Sequence, residues 1–194
     1  MKYLINMIGK NRPQNKRAVK VNIITALLIL QTLDILGQSK SQNELSNPRV
    51  IVQANEMGNA FLKEDYKTFA KYTYPAMLNS MGGESRMATA LANNANSMKM
   101  QGMIFDNITF DKPSKIIKND NELQCTLQQH TTIKLPSGRA VATSTLIAIS
   151  KDGGKNWLFV DTSGKDAATM KKALPNLSAY IIIPPQQKPV FYKF

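Results

Sequence analysis

The feature that most constrains the fold is a change in the spacing of the apolar residues after Met103. From there to Ser163 apolar and polar residues alternate, and this period of two is typical of β-strands that bury one face. Turn-forming residues at 111–113, 136–138 and 152–154 divide the region. The predicted strands are 104–110, 122–135, 139–150 and 157–163. Because tight turns join neighbouring strands in antiparallel fashion, we predict a strongly curved antiparallel sheet.

Helix-forming segments come before the sheet. Asn47 is a suitable N-cap and Pro48 suits the first helical position, and apolar residues then recur at spacings of three and four up to about Lys63. Asp65 is predicted to cap a second helix. This helix ends near Tyr74, because the following proline disfavours helical geometry in the residue before it.

A third helix is predicted after the glycine pair at 82–83, and Gly102 supplies its C-terminal cap. A short helix near 166–174 follows the strands, and the prolines of the 180–194 tail restrict any strand there to a sheet edge. Helices followed by a run of strands indicate the α+β class. We predict one α+β domain over 47–194, with the N-terminal helices packed on the sheet.

The first 38 residues resemble an export signal. Six basic residues and no acid occupy the first twenty positions, and a mainly apolar run follows up to Leu36. Polar residues, including Asp34, interrupt this run, and a membrane-spanning helix needs about 20 predominantly apolar residues. We predict a signal over 1–38 that is cleaved near Gln38 and followed by a linker over 39–46. The alternative is that this segment stays uncleaved and anchors the protein in the membrane. No other part of the chain is predicted to attach to a membrane.

The net charge does not indicate a nucleic-acid-binding protein. The whole chain carries +12, with 25 basic and 13 acidic residues. The leader holds six of the basic and one of the acidic residues, so the mature chain carries +7. These charges are scattered rather than clustered in a basic stripe, which is typical of a solvated surface. Cys125 is the single cysteine, so the chain has no internal disulfide.

The segment "SKDGGKNW" over 150–157 fits the spacing of the Asp-box, a motif of sialidases and related β-propellers. A propeller requires several four-stranded blades, whereas this motif occurs once and the chain has no visible repeat. We therefore predict a hairpin turn in which two glycines adopt positive φ and Trp157 begins the return strand. Asp152 is predicted to stabilise the turn and not to act in catalysis.

The segment "ANEMGNAFLKEDYKTFAKYTYP" over 54–75 resembles the opening of nuclear transport factor two-like (SnoaL-like) domains. In these domains a first helix leads to an acidic residue that starts a second helix, and strands follow. The resemblance covers about 47–162 and implies a cystatin-like cone, in which a curved sheet wraps helices and leaves a pocket. Enzymes of this superfamily, such as ketosteroid isomerases and dehydratases, use an Asp, His or Tyr inside the cone.

Candidate pocket residues follow from the strand pattern and from this resemblance. On the strand 122–135 the polar set includes His130, the single histidine. If that face lines the pocket, His130 could exchange protons near neutral pH, and if it faces solvent, His130 is an ordinary surface residue. The candidates are His130, Gln128, Thr132, Asp161 and Tyr66. Small residues on one face of 139–150 accommodate either a helix or a ligand.

Methionines suggest a further chemistry. Met98, Met100 and Met103 have the close thioether spacing that Cu(I) carriers use. Methionine is also a flexible filler of helical cores, and this interpretation applies to Met57, Met77, Met81 and Met87.

The predicted function is an exported, non-enzymatic binding or interaction module that lies in the periplasm or outside the cell. Its partner is an unknown small molecule or envelope protein, and dimer formation is left open. One alternative is an isomerase- or dehydratase-type enzyme with a pocket His or Asp. A second alternative is a Cu(I)-binding envelope protein. The sequence predicts no cofactor and no other metal site.

Overall fold

The computed structural model describes residues 47–193. The predicted signal over 1–38 and the linker over 39–46 lie outside this part of the chain. The helices are α1 Pro48–Leu62, α2 Tyr66–Lys71, α3 Pro75–Ser80, α4 Glu84–Met100 and α5 Ala167–Ala173. The strands are β1 Ile104–Phe110, β2 Ile117–Asn119, β3 Glu122–Leu135, β4 Gly138–Ser150, β5 Leu158–Asp161 and β6 Val190–Lys193. The α+β class is confirmed.

The caps of the first two helices agree with the sequence. The Asn47 side chain accepts the Arg49 amide at 3.0 Å, and Pro48 occupies the first turn of α1. The Asp65 side chain accepts the Thr68 amide at 3.0 Å at the start of α2. The short helix α3 was not predicted, because we took its first residue, a proline, only as the end of α2. A proline is equally suited to begin a helix.

The sheet is a curved, open, antiparallel sheet of six strands. Its centre is the long hairpin of β3 and β4, which pair from Leu123 with Ser150 to Leu135 with Gly138. Each long strand has two short strands on its other side. Strands β1 and β2 pair with β3, and β5 and β6 pair with β4. A bulge between Phe105 and Asn107 interrupts the register of β1.

The two faces of the sheet carry separate apolar cores. Odd-numbered residues of β3 such as Cys125 and Leu127 face the helices and belong to the core that contains Val50, Met57 and Trp157. On the opposite face Ile147 and Ile149 of β4 pack in the second core. This core is completed by α5 and the segment after it, through Met170, Leu174, Leu177 and Ile181.

Gln124 holds the segment 174–183, which we call the C-terminal cover, on the second face. This side chain is fully buried, and its Oε1 accepts the Ser178 amide at 2.9 Å. Its Nε2 donates to the Asn176 carbonyl at 2.9 Å and to Glu122 at 2.7 Å. A buried amide retains its stabilising effect only when its donors and acceptors are satisfied. The second core therefore depends on hydrogen bonds as well as on apolar contact.

The "SKDGGKNW" hairpin is confirmed as the connection between β4 and β5. Asp152 Oδ1 accepts the amides of Asn156 at 2.9 Å and Lys155 at 3.1 Å and the Ser150 hydroxyl at 2.8 Å. The hydrogen bonds from Asn156 are the main cause that lowers the Asp152 pKa from 3.8 to about 2. Gly153 and Gly154 adopt positive φ, as the sequence predicts.

This hairpin is attached to the start of α1. Gln53 accepts the Trp157 amide at 2.7 Å and donates to the Lys155 carbonyl at 3.1 Å. Asn47 donates to the Gly154 carbonyl at 3.0 Å. Gly154 approaches Asn47 so closely that a Cβ would lie 2.0 Å from its side-chain nitrogen. The residues of this segment thus fix the hairpin against the start of the helical layer, and Asp152 does not line the helix-side cavity described below.

Within the described residues no helix is both long and apolar enough to cross a bilayer.

Candidate functional site

A cavity of about 400 Å³ lies between the helices and the face of the sheet that they cover. Residues of α1, α2, α3 and α4 line one side, and residues of β1, β3, β4 and β5 line the other. The linker between α2 and α3 runs along β5, where the Phe159 amide donates to the Tyr72 carbonyl at 2.7 Å. Small-molecule pockets typically enclose about 300–1,000 Å³. The volume is sufficient for a small ligand.

Most of the cavity wall is apolar. Four methionines contribute to it: Met57, Met77, Met81 and Met87. Four phenylalanines contribute as well: Phe61, Phe69, Phe105 and Phe159. Rigid aromatic rings give such a wall a fixed shape, whereas unbranched thioether side chains adjust to an occupant. The wall is therefore suited to an apolar molecule and tolerates variation in its shape.

Helix α1 and strand β1 approach each other closely in one part of the cavity wall. Gly58 of α1 lies so close to β1 that an added Cβ would be 3.1 Å from both Ile108 and Phe110. At this point helix and strand are in direct contact. Helix α4 contributes Met87 and Leu91 to the cavity, and Lys99 near its end forms an ion pair with Glu64.

Five polar side chains interrupt the apolar wall, and they form two groups. Gln129 and Thr131 lie on β3, where the Gln129 amide donates to the Thr131 hydroxyl at 3.1 Å. Asp161 and Ser163 lie at the end of β5, near Thr73. Strands β3 and β5 are separated by β4, and Asp161 pairs with Leu146 whereas Gln129 pairs with Ser144, so the two groups lie at least about 10 Å apart.

Three of the sequence candidates lie on the other face of β3. His130 Nδ1 is 3.0 Å from the Thr143 hydroxyl, and its Nε2 is 3.0 Å from an oxygen of Asp111. Gln128 donates to the Thr145 hydroxyl at 2.8 Å. Thr132 shares their face by the alternation of the strand. His130, Gln128 and Thr132 therefore do not line the cavity, and His130 is part of a polar sheet surface.

The other two candidates lie at or beside the cavity. Asp161 lines it directly, with its side chain at the solvent-exposed edge. Tyr66 is buried and packs edge-on against Phe61, with ring centroids 5.6 Å apart. Burial, with a smaller effect of the Glu64 charge, raises the Tyr66 pKa. Asp161 is the one candidate that is placed to touch an occupant.

The pattern on β3 contains a signal that the sequence analysis did not use. Gln129 and Thr131 share the helix-facing side with Cys125 and Leu127, and two polar residues in an otherwise apolar row mark a polar place on that face. The apolar wall residues had been assigned to core packing. Pattern alone does not separate a filled core from one that retains a space.

The methionine cluster considered for Cu(I) does not converge. Met98 and Met100 are two positions apart on α4, and residues at this spacing point to different sides of a helix. Met100 is 83% exposed, whereas Met98 and Met103 are half-buried. Within residues 47–193 no group of three His, Cys, Asp or Glu side chains is arranged to hold a metal ion.

A second space of about 360 Å³ lies beneath the C-terminal cover. Its charged groups already interact with one another, since Lys151 lies 3.3 Å from Glu122 and over the Tyr74 ring. The buried Cys125 thiol is unsuited to act as a nucleophile, because burial raises its pKa to about 12 and keeps it protonated. The helix-side cavity remains the best candidate site.

Comparison with models of known protein families gives no match to the chain. A comparison with curated proteins also finds no significant match.

Proposed function

We propose that this protein is an exported, non-enzymatic binding module that holds an apolar small molecule in the helix-side cavity. In this proposal the curved sheet and its helices form a cone-like scaffold similar to nuclear transport factor two-like domains. The observation that carries the proposal is the wall of the cavity. Methionine and phenylalanine dominate a space of about 400 Å³, and few polar groups interrupt them.

The character of the wall favours binding over chemistry. Burial of apolar surface contributes roughly 25 cal/mol per Å², so an apolar occupant gains affinity from most of its surface. General acid–base catalysis requires a titratable group within hydrogen-bond reach of the reacting proton. His130 is on the opposite face of the sheet, and Tyr66 lies behind Phe61.

One observation favours the enzyme alternative, namely that Asp161 lines the cavity. A carboxylate at this place could act as a general base on a bound molecule. The Asp161 side chain also accepts the Ser163 amide at 2.6 Å, which is the usual role of an aspartate that ends a strand. Conversion of a bound compound to product, lost in Asp161→Asn, would support the enzyme in place of the binding module.

A substitution that fills the cavity tests the proposal. Leu91→Trp, on α4, adds ring volume inside the space, whereas Asn93→Trp places the same ring on the exposed side of that helix. We expect Leu91→Trp to abolish the binding of an environment-sensitive apolar dye and Asn93→Trp to leave it unchanged. Fluorescence titration of the purified domain measures both.

Unfolding of a variant would also abolish dye binding, so the folded state of each variant must be measured separately. Overpacking of this kind typically costs about 1–3 kcal/mol, so circular dichroism should show a native spectrum for both variants. Equal dye binding by the parent and folded Leu91→Trp would refute the cavity as the binding site.

A further inference from the structure

The polar group at the end of β5 indicates which kind of apolar molecule the cavity accepts. Asp161 carries the one charge among the described residues that line this space. Three Lys–carboxylate ion pairs and the contact of His130 with Asp111 form among residues 47–193, and none of them includes Asp161. The acidic group is notable on a chain that is basic as a whole, with a net charge of +12.

The position of this carboxylate is well defined. The neighbouring Thr162 is buried, and its amide donates to the Thr145 carbonyl of β4 at 3.0 Å. The Ser163 amide donates to one oxygen of Asp161. A carboxylate accepts through two oxygens with about four lone pairs, so this turn uses only part of its capacity. The group is held by the sheet and can still accept hydrogen bonds from a ligand.

The surroundings of Asp161 distinguish the two ends of a ligand. Its side chain is exposed at the edge of the cavity, while Phe159, two residues earlier on the same strand, is 3% exposed in the wall. Met81 also lines the cavity and is 44% exposed. A ligand that places its apolar body against the wall therefore presents its outer end to Asp161.

We infer that the preferred ligand is a cationic amphiphile, with an apolar body inside the cavity and a protonated amine that pairs with Asp161 at the edge. An ammonium group donates three hydrogen bonds and complements the carboxylate charge, whereas a carboxylate head is repelled. A neutral hydroxyl head would bind with intermediate strength. This inference rests on the proposed binding function and adds the chemical class of the ligand.

The test uses three probes with one chain and different heads: n-decylamine, n-decanol and decanoate, each below its self-association concentration. Isothermal titration calorimetry with the purified protein measures each dissociation constant. We expect the amine to bind most tightly and decanoate most weakly. Added salt should reduce the preference for the amine and leave decanol binding unchanged, because salt screens an exposed charge pair.

Asp161→Asn is the decisive variant, because asparagine keeps the side-chain oxygen that accepts the Ser163 amide. We expect it to weaken decylamine binding about fivefold and to leave decanol binding unchanged. A fivefold loss of affinity corresponds to the usual contribution of an exposed ion pair. Asp120→Asn, in the exposed turn before β3, is the matched control and should change neither. Thermal melts without ligand confirm that both variants fold.

The possible results separate this inference from the proposed function. If all three probes bind equally well, or Asp161→Asn weakens them equally, the cavity binds apolar molecules but the assignment of the cationic head is wrong. If none of the probes binds to the folded parent, the binding function itself is refuted, and the ligand class with it.

Discussion

A single carboxylate organises the turn between β4 and β5. Asp152 accepts hydrogen bonds from two backbone amides and two side chains. These hydrogen bonds hold together the loop that connects Ser150 with Trp157. Trp157 is 1% exposed in the helix-side core, and its indole donates to the Gly154 carbonyl at 3.1 Å. The motif is therefore a structural element that joins a solvent-exposed acid to a buried ring.

Asp152→Ala should lower the melting temperature by a few degrees Celsius at neutral pH and leave decylamine affinity unchanged. The Asp152 pKa is about 2 in the folded chain, whereas the ordinary value of an aspartate, which applies to the unfolded chain, is 3.8. Its contribution is therefore present above about pH 4 and is lost as the pH falls towards 2. Thermal melts across this range should show the difference between parent and variant shrinking.

Lys155→Ala is the control for this prediction, because it changes an exposed side chain of the same loop and keeps the backbone groups that are bonded there. A melting temperature of Asp152→Ala equal to that of the parent at neutral pH would show that the carboxylate does not stabilise the hairpin.

At the scale of elements, the sequence predicted the strands well because their signals are local. The predicted bounds of β1 and β3 agree with the structure, and the alternation of β3 separated Leu127 from His130 correctly. Strand β2 was missed because its three residues are too few for a period of two to be visible. Strand β2 forms because it pairs with β3, and the local sequence does not predict this tertiary contact.

The pairing of the edge strand β6 with β4 depends on a glycine of β4. Gly138 pairs with Lys193 at a φ of 150°, and a Cβ there would lie 2.0 Å from the Tyr192 carbonyl oxygen. The Arg139 guanidinium lies over the Tyr192 ring at 4.8 Å, which adds a side-chain contact to the pairing. The strand is nevertheless exposed along its length.

Gly138→Ala should therefore separate β6 from β4 and lower the free energy of unfolding by about 1–3 kcal/mol. Hydrogen exchange of the amides over 190–193 should become faster, while that of β3 stays slow. Ser137→Ala, in the same turn, is the control. Unchanged exchange in Gly138→Ala would show that the backbone adjusts without loss of the ladder.

For the domain as a whole, the sequence predicted the α+β class and the resemblance implied a pocket, but the pattern of residues did not show which side chains line the cavity. Whether Met57, Met87 and Leu91 fill a core or border a space depends on how far α4 stands from the sheet. That distance depends on contacts between elements that are separated in the chain, such as the packing of α4 against α2. No periodicity encodes it.

The export proposal concerns the whole chain, and its basis is the basic and then apolar order of the first 38 residues. We expect the native mature protein to begin close to Gln38 or Ser39 and to lie outside the cytoplasm. N-terminal sequencing of native protein from fractionated cells measures both. An intact Met1 terminus on soluble cytoplasmic protein would contradict export, whereas Met1 in the membrane fraction would identify the uncleaved anchor.

The C-terminal cover has a consequence for the timing of folding. The second core needs Leu177 and Ile181, and β4 gains its last partner only from 190–193. Both contributions come from segments that follow β3 and β4 in the chain, so this face of the sheet stays uncovered after the two long strands have been synthesised. A nascent chain therefore cannot bury Ile147 and Ile149 on this face until the residues from Met170 to Ile181 have been synthesised.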